Sequence, residues 1–372
     1  VAVRPGAAAR ARCWLGALAL FAGCATVEEP SRPALRPSEA RALIAGLLPA
    51  STADRAGWAT DIHAALTALD IPPTRENICA VIAITEQESS FRVDPAVPNL
   101  SAITWKAIEE RAERAGVPML VVRTTLQLNS PTGRSYAERI DAARTEQELS
   151  RIFDDFVGMV PLGRTLFANL NPVRTGGPMQ VSIAWAERHA RERTYPYPME
   201  HGIRHEVFTR RGGVYFGIAH LLDYPASYDR PLYRFADFNA GHYASRNAAF
   251  QQALGLVAGI ELDLDGDLVR HDGDADASPG ATERAARVLA QRLKLDFGDI
   301  RSALERGDSP AFERTTLYQR VFAMADRMQG RPLPRAVVPR IALKSPKITR
   351  KLTTSWFATR VDQRHQRCMA RD

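Results

Sequence analysis

The chain has 372 residues, 45% hydrophobic and 24% charged, with 24 glycines and 24 prolines, a balance that excludes a disordered, collagenous or low-complexity protein. Its formal charge is +7, from 49 basic and 42 acidic residues, too diffuse a surplus to argue for nucleic acid as a partner. No run of about 18 apolar residues occurs, so no ordinary transmembrane helix is encoded.

Arg4, Arg10 and Arg12 form a positive region, Trp14 to Phe21 a short apolar one, and the small residues Ala22 and Gly23 stand before Cys24. This is the pattern of a secretory signal peptide over residues 1–23, to be set aside from fold reasoning, and ordinary secretory cleavage with an incidental Cys24 is one reading of it. Phe21-Ala22-Gly23-Cys24 resembles the lipobox of bacterial lipoproteins, with Phe21 at a usually aliphatic place. The resemblance implies an acylated Cys24 as the new N-terminus and, with Ala25 rather than Asp following, a chain attached to the outer membrane through its lipid anchor. Residues 24–37, with Glu-Glu-Pro and two Arg-Pro steps, read as a tether, and residues 38–372 as one mostly helical domain. Cys79 and Cys368 remain: an oxidising compartment makes them a candidate disulfide, while two buried free thiols are the other reading.

Ser38 is expected to cap a helix carrying Leu43, Ile44, Leu47 and Leu48, followed by a second with Trp58, Ile62, Leu66 and Leu69 that Ile71-Pro72-Pro73 ends. Thr74 caps a third running towards Phe91. Thr145 and Glu148 make a capping box ahead of the stripe Leu149, Ile152, Phe153 and Phe156. Further helices are expected around Val214–Leu222, Thr282–Leu293, Thr316–Met328 and Thr353–Val361, and a small β-hairpin around Asp265-Gly266.

The third helix carries the first chemistry. Ile78, Val81, Ile82 and Ile84 define an apolar face, and Glu88, four residues after Ile84, projects along it, whereas Glu86 turns to the opposite edge and is expected in solvent. A carboxyl bordering an apolar face is costly to ionise and suits a general acid. The plainer reading is a border carboxylate paired with an arginine. Downstream, Thr175-Gly176-Gly177-Pro178-Met179-Gln180-Val181 is a glycine-rich turn, and Tyr233-Arg234-Phe235-Ala236-Asp237-Phe238-Asn239-Ala240-Gly241 ends a helical run at Asn and Gly.

The order Glu88-Ser89, Gly177-Pro178-Met179-Gln180, then Phe238-Asn239-Ala240-Gly241, with the glycine-containing run Arg211–Leu222 between the last two, resembles the lysozyme-like lytic transglycosylases of bacterial cell walls. The resemblance implies a lysozyme-like helical fold, a peptidoglycan glycan strand as partner, and no cofactor. It implies Glu88 as the sole acid/base, Ser89 orienting substrate or carboxyl, Met179 and Gln180 lining the saccharide groove, and Phe238 and Asn239 forming the wall opposite Glu88, whereas the plainer reading of Met179 is a gap-filling core residue. Such enzymes need no second carboxylate, because the sugar's own hydroxyl closes an anhydro ring. Phe238 stands where that family has Tyr and Pro178 where it has Leu, and the link between Phe91 and Gly176 is longer than usual. These departures favour a rival in which a lipid-anchored protein binds glycan, or another envelope component, without cutting it. Over the whole mature chain, Asp94–Pro98, Asn171–Ser182, Phe238–Gly241 and Ser345–Arg350 resemble the YaiW-type bacterial lipoproteins, a family of unknown function.

No metal site is expected. Glu261-x-Asp263-x-Asp265-Gly266 followed by Asp272 imitates a calcium loop, with Glu first and a short Asp last. His201 and His205 have helical spacing but no surrounding zinc motif, and Asp272, Asp274 and Asp276 read as a solvated loop.

Overall fold

Residues 1–2, 35–159, 171–270, 279–343 and 352–371 are described by a computed structural model. The signal segment, Cys24, nearly all of the tether, the Asp272–Asp276 loop and Ser345–Arg350 lie outside the described residues.

Helices carry nearly all the regular structure. In chain order they are α1 (Pro37–Leu47), α2 (Arg55–Ala68), α3 (Arg75–Glu88), α4 (Leu100–Arg114), α5 (Met119–Leu126), α6 (Tyr136–Ala142) and α7 (Glu146–Gly158). After a two-stranded antiparallel ribbon, β1 (Thr175–Gly176) with β2 (Val181–Ser182), come α8 (Ile183–Glu192), α9 (Gly202–Val207), α10 (Arg210–Leu222), α11 (Pro231–Ala240) and α12 (Ala244–Ala258). The last third holds α13 (Ala281–Val288), α14 (Ala290–Leu293), α15 (Phe297–Leu304), two 3₁₀ turns over 305–314, α16 (Thr316–Gln329), the ribbon β3 (Ala342–Leu343) with β4 (Leu352–Thr353), and α17 (Thr354–Met369).

Local capping chemistry sets several of these ends. Thr74 accepts from the Asn77 backbone N–H at 3.2 Å and opens α3. Thr145 and Glu148 satisfy each other's backbone N–H groups at 3.2 Å at the start of α7. Ser38 does not cap α1: the helix begins at Pro37, a residue suited to the first helical position, and Glu39 accepts from the Arg36 backbone N–H at 3.0 Å. The helix expected over Thr282–Leu293 breaks at Leu289 into α13 and α14.

The hairpin expected at Asp265-Gly266 is absent, because buried Gln251 of α12 takes the backbone groups a second strand would need. Its Oε1 accepts from the Gly266 N–H at 2.9 Å, and its Nε2 donates to the Asp267 carbonyl at 3.0 Å and to Asp265 Oδ1 at 2.7 Å. The Asp265 carboxylate is thereby engaged from within the chain. The described ribbons lie at residues 175–182 and 342–353 instead.

Two apolar cores divide the folded part. The first gathers α1–α3, the α4–α7 layer, α8, α10, α11 and the returning α17; the second gathers α12–α16. α17 packs on both α3 and α11. There Cys79 and Cys368, 289 residues apart, are joined in a disulfide with their Cα atoms at 5.5 Å.

Candidate functional site

α3 is not the amphipathic helix its spacing suggests. Every residue from Ile78 to Thr85 is buried, so α3 runs through the first core as a central rod. Glu88 is its last residue and is half-buried where the rod leaves the core. Ser90 and Phe91 then take left-handed backbone (φ of 51° and 62°), and the Phe91 ring meets Trp58 edge-on at 5.1 Å. Two consecutive non-glycine residues in that region hold a sharp bend directly after the carboxylate, a strain of the kind found beside functional groups.

Two neighbours of Glu88 are placed otherwise than expected. Glu86 is half-buried rather than in solvent: α17 lays Arg364 and Arg367 against its carboxylate at 3.5 and 3.9 Å. Ser89 is buried, and its hydroxyl donates back to the Thr85 carbonyl at 3.2 Å.

The Gly-Pro-Met-Gln turn joins β1 to β2 and docks on α10. Gly177 has φ +73°, and a Cβ there would stand 2.0 Å from the Val207 carbonyl oxygen, so only glycine fits. Met179 is fully buried against Gly217, where an added Cβ would meet its sulfur at 2.3 Å. Gln180, at φ +52°, folds over its own turn, its Nε2 donating to the Gly177 carbonyl at 3.2 Å.

α11 delivers the third motif. Phe238 is buried, and its carbonyl meets His220 Nε2 at 3.3 Å. Asn239 has an exposed position, with its Oδ1 accepting from the Thr354 hydroxyl at 3.1 Å. Directly before Phe238 sits Asp237, which sequence reasoning missed. Its fully buried carboxylate accepts from the Tyr224 and Tyr228 hydroxyls at 3.1 and 2.6 Å and from the Tyr243 and Ser245 N–H groups at 3.0 and 2.7 Å. Burial pushes this carboxyl up, and the donors work against that rise. Asp237 thus fastens the turn between α11 and α12.

α10 is the common partner: α3, β2 and α11 all pack against it. The three motif-bearing elements are therefore neighbours. Neither of two large hollows, a polar cleft of about 710 Å³ and an apolar slot of about 540 Å³ within the α4–α7 layer, is lined by Glu88, Ser89, Met179, Gln180, Phe238 or Asn239.

The polar cleft is a second feature the sequence did not announce. Trp185 from α8, His220 and Tyr224 at the end of α10, and His242 before α12 line one side. The His220 and His242 rings stack at 4.6 Å, and Tyr224 stacks on His242 at 4.1 Å. Burial, with His242 alongside, pushes the His220 imidazole down to about 3, and burial lowers His242 and His189 too, so this wall is uncharged near neutral pH. His201 and His205, in contrast, lie apart from it with rings 5.1 Å from each other. Among the described residues no group of three His, Cys, Asp or Glu side chains is arranged to hold a metal ion, and no helix is long and apolar enough to cross a membrane.

The geometry defines a mainly helical protein with two cores, a disulfide across the first, and a carboxylate at the end of its central helix. The chain belongs to the family described as "Protein of unknown function (DUF1615)", which matches residues 51–371. It is 51% identical over 354 residues to "Uncharacterized protein YaiW" of Escherichia coli (strain K12), covering 95% of this chain and 96% of that one. No solved structure matches.

Proposed function

We propose that this chain is a lipid-anchored protein of the bacterial outer membrane that acts on peptidoglycan, cutting glycan strands as a lytic transglycosylase with Glu88 as its single acid/base. The observation that carries the reading is the position of Glu88. It ends a helix that is buried on all sides from Ile78 to Thr85, and that helix shares α10 with the Gly177–Gln180 turn and with the α11 helix that carries Phe238 and Asn239.

In this chemistry the Glu88 carboxyl donates its proton to the glycosidic oxygen as the bond to the anomeric carbon breaks. The carboxylate then takes the proton of the sugar's own primary hydroxyl, whose oxygen closes on the anomeric carbon, so no water and no second carboxylate are consumed. In this reading Gln180 and Asn239 offer their amides to the strand, and Met179, fully buried against Gly217, backs the turn that carries Gln180. The test is release of anhydro-sugar fragments from purified peptidoglycan, read by mass. Anchoring is tested separately: the mature chain should carry an acyl mass on Cys24 and fractionate with membranes, and Cys24→Ala should be released; equal membrane retention of that variant contradicts the anchor.

One observation favours a non-catalytic glycan-binding role. Ser89, Gln180 and Asn239, the polar residues assigned to substrate, are all engaged within the chain, on the Thr85 carbonyl, the Gly177 carbonyl and the Thr354 hydroxyl. Binding of peptidoglycan without fragment release is the outcome that selects it.

A further inference from the structure

The polar cleft lies where the two cores meet, which is where ligand sites concentrate. One wall carries Trp185, His220, Tyr224 and His242; the other is backbone and side chain of 266–269 and of Leu304, Glu305, Gly307 and Asp308. The second wall is fixed from behind by buried side chains of α12. Arg246 donates to the Gly307 and Ser309 carbonyls at 2.5 and 2.8 Å, and Asn247 Nδ2 to the Gly266 and Gly307 carbonyls at 3.2 and 2.9 Å. Gln251 secures Gly266 and Asp267 as described above. The cleft is therefore built in advance of any ligand, which lowers the ordering cost of binding.

Its chemistry narrows the ligand. The lining is polar with aromatic faces, unlike the apolar slot of the α4–α7 layer, so a lipid chain is a poor occupant. Glu192, Asp223, Asp267, Glu305 and Asp308 outnumber Arg188, which disfavours phosphates and nucleic acids. A simple cation is also a poor match, because Asp223 and Glu305 are each already paired, with Arg193 and Arg301 at 2.7 Å. The histidines of the cleft, His220 and His242, are pushed down by burial and carry no charge near neutral pH. What remains is a neutral polyhydroxylated molecule, whose C–H groups meet the part of Trp185 that its stacking on His189 at 4.9 Å leaves to the cleft, while its hydroxyls meet the lining carboxylates; Tyr224 and His242 are already stacked on each other.

We propose that this cleft is a saccharide-binding site separate from Glu88, with Trp185 as its stacking platform and Asp308 as a hydroxyl acceptor. It rests on the reading above for its natural ligand, a stretch of cell-wall glycan. The cleft is joined to the motif region through α11: Ala240 and Gly241 line it, while His220 holds the Phe238 carbonyl. A strand seated here would be gripped away from the carboxylate, so the site contributes affinity and not chemistry.

The experiment uses the full mature chain and a β-1,4-linked N-acetylglucosamine tetramer, with binding read by calorimetry and by quenching of tryptophan fluorescence. Wild type should bind saturably. Trp185→Ala should weaken binding at least about tenfold and remove most of the quenching, and Asp308→Ala several-fold, on the order of one lost hydrogen bond to a charged group. Asp308 is exposed, so its variant keeps the test intact should Trp185→Ala fold poorly. Unchanged affinity in Asp308→Ala together with unchanged affinity in folded Trp185→Ala overturns the proposal, as does absence of saturable binding by wild type. If wild type releases anhydro fragments while the cleft variants bind normally, the cleft fails and the Glu88 reading stands. If the cleft variants lose the tetramer while wild type releases no fragments, the cleft stands and the catalytic reading falls.

Discussion

Asp237 shows how much one side chain can hold. Four donors converge on a carboxylate that has no exposure, and Tyr224, one of them, also forms part of the cleft wall. Asp237→Ala strands those donors and should lower folding stability by about 3 kcal/mol or more, measured as a shift in the denaturant midpoint. His220 makes a pH-dependent counterpart. Its folded value of about 3 lies below the ordinary 6.5, so the unfolded chain binds the extra proton between those values. Stability from this residue is therefore complete above about pH 6.5 and falls as the pH drops towards 3. His242 and His189 act in the same sense, and Asp237, with its raised carboxyl, in the opposite one. His220→Gln should flatten the loss of stability between about pH 6.5 and about pH 4, and an unchanged slope in that variant contradicts the assignment.

At the scale of elements, the sequence was most readable where the cause was local. Thr74, Thr145 and Glu148 cap their helices within three residues of themselves, and their signals survive into the fold. Asp265-Gly266 misleads because its competitor is remote in sequence: Gln251 of α12 takes the backbone groups first. Glu86 misleads for the same reason, since the arginines that cover it arrive on the final helix. The Trp185, His220 and His242 wall draws on α8, α10 and the turn before α12, so no spacing within one segment could reveal it. The glycines of α10, by contrast, were visible as a pattern, and Gly217 now has its reason in Met179. Gly217→Ala should force the β1–β2 turn off α10 at a cost of about 1–3 kcal/mol and lower the thermal midpoint.

On the scale of the whole molecule, the disulfide ties the last helix to the central one. Sequence alone leaves Cys79 and Cys368 open between a bridge and two thiols, and the packing of α17 on α3 brings them together. The closed loop is nearly the whole folded part, so the chain-entropy model assigns the bond roughly 5 kcal/mol. Labelling the unreduced, unfolded chain should find neither cysteine reactive, and reduction should lower stability by up to that amount; two labelled thiols contradict the bond. Membership of an uncharacterised family fixes the relationship of this chain without fixing its chemistry, so the functional account stands on Glu88.

The most direct measurement is digestion of purified peptidoglycan by wild type, Glu88→Gln and Glu86→Gln side by side, with anhydro-sugar fragments counted by mass. Glutamine keeps the shape of the side chain and removes the transferable proton. Wild type should release fragments, Glu88→Gln almost none, and Glu86→Gln near-normal amounts, since the Glu86 ion pairs with α17 are structural. Equal release by wild type and Glu88→Gln, or no release by wild type, would contradict the catalytic role of Glu88.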